Sequence, residues 1–252
     1  MIYEHNNLRN WASILDENTR LQAEMTARSP VICGPVALMA DAHLGAGCCV
    51  GCVIPTKDAI LPACIGVDIG CGLCAVKTNL TRAQLPEDLT PLVGEFERSI
   101  PAGVGRRHSK VTKRAGEWLG KHPSPHVLTQ RNAAVSLNQL GTLGSGNHFL
   151  EVCMDEDAAI WVVVHSGSRG VGNQLAQQHI KAAQEYCKAA GLKVEDKDLA
   201  YLVKGTDEFD AYIQDMLWAQ TYAFENREIM IDAAMNQLLR FTEKATGHVG
   251  QE

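Results

Sequence analysis

Asp68 and Cys71 fall in GVDIGCG, where two residues separate a carboxylate from a thiol in a glycine-bracketed turn after an apolar run. That spacing can aim both side chains at one ion, and Gly66, Gly70 and Gly72 permit positive φ and close approach of a ligand to the backbone. Two histidines join them. His148 lies in GSGNHF, and His165 ends the apolar run WVVVH just before SGSRG. A histidine at the end of a buried strand, entering a Gly/Ser loop, stands where open α/β sheets place ligands. Taken singly, each has a plain structural explanation: a tight turn with a buried thiol, or a histidine hydrogen-bonded within the core. The four together point to a metal site.

Two imidazoles, a thiolate and a carboxylate make a mixed soft and hard donor set, for which Zn²⁺ or Fe²⁺ is the first expectation from softness alone. The thiolate has lone pairs to share between two ions, and paired ions usually serve phosphoryl transfer or hydrolysis. The neighbouring loops suit phosphate. GTLGSGN and SGSRGVGN offer backbone N–H groups, the hydroxyls of Thr142, Ser145, Ser166 and Ser168, and the forked guanidinium of Arg169. Neither ends in the G-K-[ST] of a Walker loop, and neither has the G-x-G-x-x-G spacing of a dinucleotide fingerprint. Asn147 either bonds a phosphate oxygen or orients the adjacent His148. Asp41 and His43 in DAHLGAG are also of ligand type, but a D-x-H pair is common, and a structural or supporting role is expected there.

These residues need elements to hold them. From Pro30 to Thr78 short apolar runs alternate with glycine, the pattern of buried strands joined by tight loops. Arg82 to Ile100 turns helical, with Leu85, Leu89, Leu92, Val93 and Phe96 at spacings of three and four. A polar segment follows, Pro101 to Thr129, in which Arg106, Arg107, Lys110, Lys113, Arg114 and Lys121 face a single acid, Glu117. Then GTLGSGNHFLEVCM predicts loop and strand, and AIWVVVHSGSRGVGNQLAQQHI predicts strand, loop and helix. Beyond Asp196 a long helical region carries the stripe Phe209, Tyr212, Ile213, Met216 and Leu217 towards Leu239, with Thr206 as its N-cap. No internal repeat, low-complexity linker or boundary between independent domains is visible.

At 252 residues and 46% apolar content, the chain has ample material for a core. Its formal charge is 23 − 29 = −6, so a polyanionic partner must be held by a local basic patch rather than by the net field. Nine cysteines without a secretory or membrane-spanning apolar run point to a reducing, cytoplasmic setting. Cys48, Cys49 and Cys52 form a C-C-x-x-C cluster, yet no second pair follows at zinc-finger spacing, and they read as buried structural thiols.

Four long motifs in order, DAHLGAG, VIPTKDAILPACIGVDIGCG, LGTLGSGNHFLEV and VHSGSRGVGN, resemble the RtcB family of RNA-splicing ligases. The likeness runs from about Val31 to the helical region past Tyr201, including LAYLVKGTDEFDAYIQDMLWAQ. The resemblance implies an α/β fold of α+β type: one domain with mixed buried sheets flanked by helices, a basic insertion at about 101–129 and a long helical region at about 206–245. It also implies a GTP- and Mn²⁺-dependent enzyme joining RNA 2′,3′-cyclic phosphate or 3′-phosphate ends to 5′-hydroxyl ends. By motif, Asp68, Cys71, His148 and His165 would hold two Mn²⁺ ions, with Cys71 shared between them. Asn147 would touch the GTP phosphates, and Arg169 and Ser166 would help bind phosphate. The segment Arg106, Arg107, Lys110, Lys113 and Arg114 would then face the RNA backbone.

The sequence departs from the family at one point. Members carry a further metal-binding histidine in an H-N-Y context and a histidine that takes the guanylyl group, and both fall beyond position 252. His179, in a helical pattern, and His248, near the end, do not fit that nucleophile, so the chain is expected to be an interrupted ligase, incomplete for catalysis alone. A non-ligating nucleotide- or RNA-end-binding module and a metal-dependent phosphoesterase are the alternatives. A membrane partner is not expected, and any activating protein partner is not identifiable from the sequence.

Overall fold

The computed structural model describes residues 3–5, 7–126, 130, 132–133 and 137–247. It is a mixed α/β structure that divides into two compact units, each assembled from two separate stretches: Met1–Val67 with Gln174–Gln214, and Asp68–Asn173 with Asp215–Glu252. Because each unit is discontinuous in sequence, no linear change of composition marks it.

In the first unit β1 (Tyr3–His5) pairs antiparallel with β2 (Leu8–Asn10), β2 runs parallel to β3 (Val36–His43), and β3 pairs antiparallel with β4 (Val50–Val53). The parallel step needs a crossover, supplied by α1 (Glu17–Ala27). Asp16 caps that helix by accepting from the Thr19 backbone N–H at 3.0 Å. Leu8, Ala23, Val36 and Leu38 are fully buried between the helix and the sheet. A two-stranded ladder of β5 (Ala59–Ile60) and β9 (Leu202–Val203), and the short α2 (Pro62–Ile65), complete the unit with most of α5 (Arg169–Ala189).

The second unit is built on an antiparallel sheet of order β6 (Gly72–Thr81), β8 (Ala159–Ser166), β7 (Phe149–Met154). On the central strand Ile160, Val162 and Val164 are buried at alternate positions. They pack with Leu92 of α3 (Thr90–Ser99) and with Met230, Ala234 and Leu238 of α6 (Asp207–Gly247). The β7–β8 turn is organised by Asp155, whose carboxylate accepts from Ala159 N–H at 2.8 Å, Trp161 Nε1–H at 2.9 Å and Lys77 Nζ at 3.0 Å.

Three expectations change in detail. The helix expected over 82–100 begins only at Thr90, because Pro86 disfavours helix before it and Pro91 suits a first turn. The strands of the 30–78 region are not buried throughout: β6 alternates, and Leu73, Val50 and Val53 are exposed. The basic segment contains α4 (Lys113–Lys121), started by Thr112, whose hydroxyl accepts from Ala115 N–H at 3.2 Å; positions 127–129 lie outside the described residues. Thr206 caps α6 as expected, accepting from Phe209 N–H at 3.3 Å. Among the described residues no helix is long and apolar enough to cross a membrane.

Candidate metal and phosphate site

The residues expected to hold metal and phosphate sit at one end of the β6–β8–β7 sheet. Asp68 and Cys71 precede β6, Asn147 and His148 precede β7, His165 lies at the end of β8, and Arg169 opens α5. Because the sheet is antiparallel, this edge joins one strand end to two strand starts, unlike the parallel arrangement that the position of His165 suggested. Register makes His165 the centre, since it pairs with Leu73 on one side and Phe149 on the other.

The GVDIGCG segment forms a turn in which Cys71 N–H donates to the Asp68 carbonyl at 3.0 Å, with Gly70 at φ +75°. A side chain at Gly70 would also meet Ala223 Cβ and Gln220 Cα at 2.9 Å, so glycine is required twice over. The turn brings Asp68 and Cys71 together with His148, one ligand atom from each lying within 4.8 Å of the others. His148 Nε2 stands 2.7 Å from Asp68 Oδ2 and 3.6 Å from Cys71 Sγ, and His165 Nε2 lies 3.4 Å from the same sulfur. The sulfur therefore sits between two imidazoles.

The protonation pattern fits a cation. His148 Nδ1 is 3.0 Å from the Leu143 carbonyl, which can only accept, so Nδ1 carries the proton and Nε2 is bare in the neutral ring. A bare nitrogen and a carboxylate 2.7 Å apart need a proton or a metal ion between them. Burial, with the nearby positive charge of Arg227, keeps the His165 imidazole below its ordinary pKa, in the neutral form that ligates. Burial, followed by the charge of Asp68, pushes the Cys71 thiol up to about 12. A cation would displace that proton.

Asn147 is exposed, and its amide Nδ2 donates to His165 Nε2 at 3.2 Å, so it touches His165 rather than its neighbour His148. Arg169 adopts φ +58°, a backbone conformation costly for a residue with a side chain. Its guanidinium lies against Gly144, where a Cβ would collide with it, and Nε donates to Thr142 Oγ1 at 3.3 Å. Its Nη1 lies 3.3 Å from the already protonated His148 Nδ1, a packing contact. Burial lowers the Arg169 pKa, against the charge of Asp68.

Of the four hydroxyls expected at the phosphate loops, only Ser145 is exposed. Ser166 requires correction: it is fully buried, donates to the Leu143 carbonyl at 2.8 Å and accepts from Asn226 Nδ2 at 3.2 Å. These bonds tie the loops together, and full burial keeps the hydroxyl from the surface. Arg114 is paired with Glu225 at 2.6 Å and with Asp232. Lys113 is paired with Glu117 at 3.7 Å, while Arg106, Arg107 and Lys110 are exposed and make no ion pair among the described residues. Asp41 and His43 lie on β3 of the first unit, and His43 Nδ1 donates to the Asp41 carbonyl at 2.7 Å. His179 is buried and packs against the Tyr212 ring at 5.1 Å. His248 lies outside the described residues.

Two positioning residues escaped the sequence reading. Asn226 Oδ1 accepts from Gly141 N–H at 2.7 Å and Thr142 N–H at 3.2 Å, and its Nδ2 donates to the Thr142 and Gly167 carbonyls. Arg227 Nη1 donates to the Gly70 carbonyl at 2.7 Å and the Ser166 carbonyl at 2.8 Å. Consecutive residues of α6 thus pin all three glycine-rich loops. The one available signal was polarity: an Asn-Arg pair in the interior of a helix whose neighbouring turns are apolar.

The family model described as tRNA-splicing ligase RtcB matches residues 22–251. The RNA-splicing ligase RtcB of Escherichia coli K12 is 39% identical over 243 residues, covering 91% of this chain and 60% of that protein. The tRNA-splicing ligase RtcB of Methanococcus maripaludis is 30% identical over 237 residues, covering 76% of this chain and 49% of its own. RNA-splicing ligase RtcB homolog 1 of Entamoeba histolytica is 30% identical over 238 residues, covering 75% and 45%. The chain therefore spans about half to three fifths of the length of these relatives.

Proposed function

The chain belongs to the tRNA-splicing ligase RtcB family, and on that premise we propose that it carries the metal- and phosphate-binding part of an RNA ligase. The reaction is the joining of 2′,3′-cyclic phosphate or 3′-phosphate RNA ends to 5′-hydroxyl ends, driven by guanylyl transfer from GTP. The observation that carries this is the converging donor set of Asp68, Cys71 and His148, with His165 3.4 Å from the shared sulfur, beside two glycine-rich loops.

Mn²⁺ is the proposed ion, in a pair, and what it supplies is neutralisation of phosphate charge during nucleotidyl transfer. Asp68 and His148 would hold one ion and His165 the other, with Cys71 between them. Asn147, exposed beside His165, presents an amide to a phosphate oxygen. Arg169 is a positioning residue first: its guanidinium lies against Gly144 and backs the His148 ring, and it adds positive charge from behind the ligands. Arg106, Arg107 and Lys110 offer the exposed positive surface for RNA. The proposed compartment is the cytoplasm, in keeping with nine cysteines that all remain thiols.

Thermal melting tests this proposal. Mn²⁺ should raise the melting temperature, GTP should raise it further only when Mn²⁺ is present, and an RNA oligomer with a 2′,3′-cyclic phosphate should do so more than one with a 3′-hydroxyl. Saturation at about 100 times Kd corresponds to about 2.7 kcal/mol. Stabilisation by neither nucleotide nor RNA end would remove the ligase reading.

A further inference from the structure

Residues 101–108 are laced onto the glycine-rich stretch 138–144, and both belong to the second unit. Leu143 N–H donates to the Pro101 carbonyl at 3.0 Å, Gly103 N–H to the Gly144 carbonyl at 2.6 Å, and His108 N–H to the Asn138 carbonyl at 2.8 Å. One side chain completes the lacing. His108 Nε2 lies 3.1 Å from the Gly141 carbonyl, which can only accept, so Nε2 carries the proton and donates it. Gly141 is thereby held at both its polar groups, since its N–H already donates to Asn226 Oδ1 at 2.7 Å. It has φ +83°, and a Cβ there would collide with Ile229 of α6 and touch His108 Nε2.

The laced stretch leads directly to a metal donor. The Leu143 carbonyl, two residues beyond Gly141, receives His148 Nδ1–H at 3.0 Å and the Ser166 hydroxyl at 2.8 Å. That carbonyl sets the tautomer that leaves His148 Nε2 bare, 2.7 Å from Asp68 Oδ2. A carbonyl orients an imidazole only as firmly as its own peptide is held, and loosening such outer partners weakens metal binding. A half-buried histidine can also be a plain loop staple, supplying a donor wherever a carbonyl lacks one. Two observations set His108 apart from that use. Its target stands two residues from the carbonyl that orients His148, and its own neighbours are Arg106, Arg107 and Lys110, the exposed cations that make no ion pair among the described residues.

We propose that His108 is a positioning residue for the metal site. By clamping the Gly141 carbonyl it fixes the His148 imidazole, and it joins the cationic segment around it to that ligand, so that RNA held by the segment meets the ions in a set geometry. The proposal rests on reading Asp68, Cys71 and His148 as metal ligands. His108 itself makes and breaks no bond with substrate.

The test is Mn²⁺ uptake by the full chain, read from electron paramagnetic resonance of the free ion, together with the imidazole nitrogen NMR spectrum of the metal-free protein. His108→Gln, whose amide N–H can donate from the same reach as Nε2, should bind Mn²⁺ as the parent does. His108→Asn, whose shorter amide cannot reach the carbonyl, and His108→Ala should each weaken binding by about 10-fold, the lower end for outer partners of a ligand. The His148 signals, identified by their loss in His148→Ala, should report the Nδ1–H tautomer in the parent and His108→Gln and a mixture of tautomers in His108→Asn. An RNA oligomer with a 3′-hydroxyl end should bind parent and His108→Asn alike without Mn²⁺, and should gain affinity from Mn²⁺ more in the parent. If His108→Ala does not fold, the Gln and Asn pair decides. Equal Mn²⁺ affinity and an unchanged His148 tautomer in His108→Asn would overturn the proposal while leaving the ligand reading intact. Failure of the parent to take up Mn²⁺ would remove both.

Discussion

His148 holds its Nε2 2.7 Å from Asp68 Oδ2 while its Nδ1 donates to the Leu143 carbonyl at 3.0 Å. The ring is thereby fixed in orientation and tautomer by the GTLGSGN loop, and the carboxylate is fixed by the turn that precedes β6. Neither residue is placed by its own strand. Both are placed by loops that α6 ties down, and the predictions follow from that division of labour.

Gly167 passes directly beneath the Asp68 carboxylate, and a Cβ there would collide with it. Gly167→Ala should push Asp68 away from His148 and lower metal affinity by about 10–100-fold, as for other changes that misorient a ligand. The overpacking cost should be about 1–3 kcal/mol, leaving a folded protein. Metal titration with circular dichroism as the folding control checks this; unaltered affinity would show that Asp68 is not a ligand in this position.

Asn226→Ala leaves the Gly141 and Thr142 N–H groups without their buried acceptor. At about 1–3 kcal/mol for each of the two stranded donors, the variant should lose roughly 2–6 kcal/mol. The urea midpoint should fall with little change in slope, because the folded state exposes no more surface. Asn226→Asp should also be destabilised, since a carboxylate accepts both N–H groups but cannot donate to the Thr142 and Gly167 carbonyls.

Arg227→Met removes charge-assisted bonds to the Gly70 and Ser166 carbonyls, each worth about 1.5–3 kcal/mol. Metal affinity should fall together with stability, because the two carbonyls belong to the turns that carry Cys71 and follow His165. Arg227→Lys should recover part of the stability, since an ammonium keeps the charge but lacks the planar fork. Paired melting and metal-binding curves separate this from a loss of stability alone.

The candidate donors were visible in the sequence because they flank strand starts and ends, where apolar runs give way to glycine. The sequence concealed what holds them, because Asn226 and Arg227 reach loops far away in the chain from a helix that looks merely amphipathic. The basic segment was legible as charge, but pairing of Arg114 with Glu225 and Asp232 depends on helix packing that no local pattern encodes. Ser166 is a similar case: its type suits phosphate, and only the fold shows its hydroxyl buried between Leu143 and Asn226. The helix start at Thr90 followed local rules that periodicity alone overran, since Pro86 interrupts the repeat.

Asp155 offers a pH test independent of the metal. Its carboxyl is held below the usual range, first by the Trp161 indole N–H and then by Lys77. A depressed carboxyl contributes stability above its unfolded pKa of about 3.9 and loses it as pH falls through the folded value. Asp155→Asn should therefore melt below the parent at neutral pH, with the gap closing at acid pH. A gap that persists unchanged to the acid limit would contradict the assignment.

Mn²⁺ titration of the whole chain, followed by electron paramagnetic resonance of the free ion, tests the central claim most directly. Saturable uptake is expected, and Asp68→Asn, Cys71→Ala and His148→Ala should each abolish or severely weaken it while the protein stays folded. Uptake by these three variants equal to that of the parent would contradict that claim.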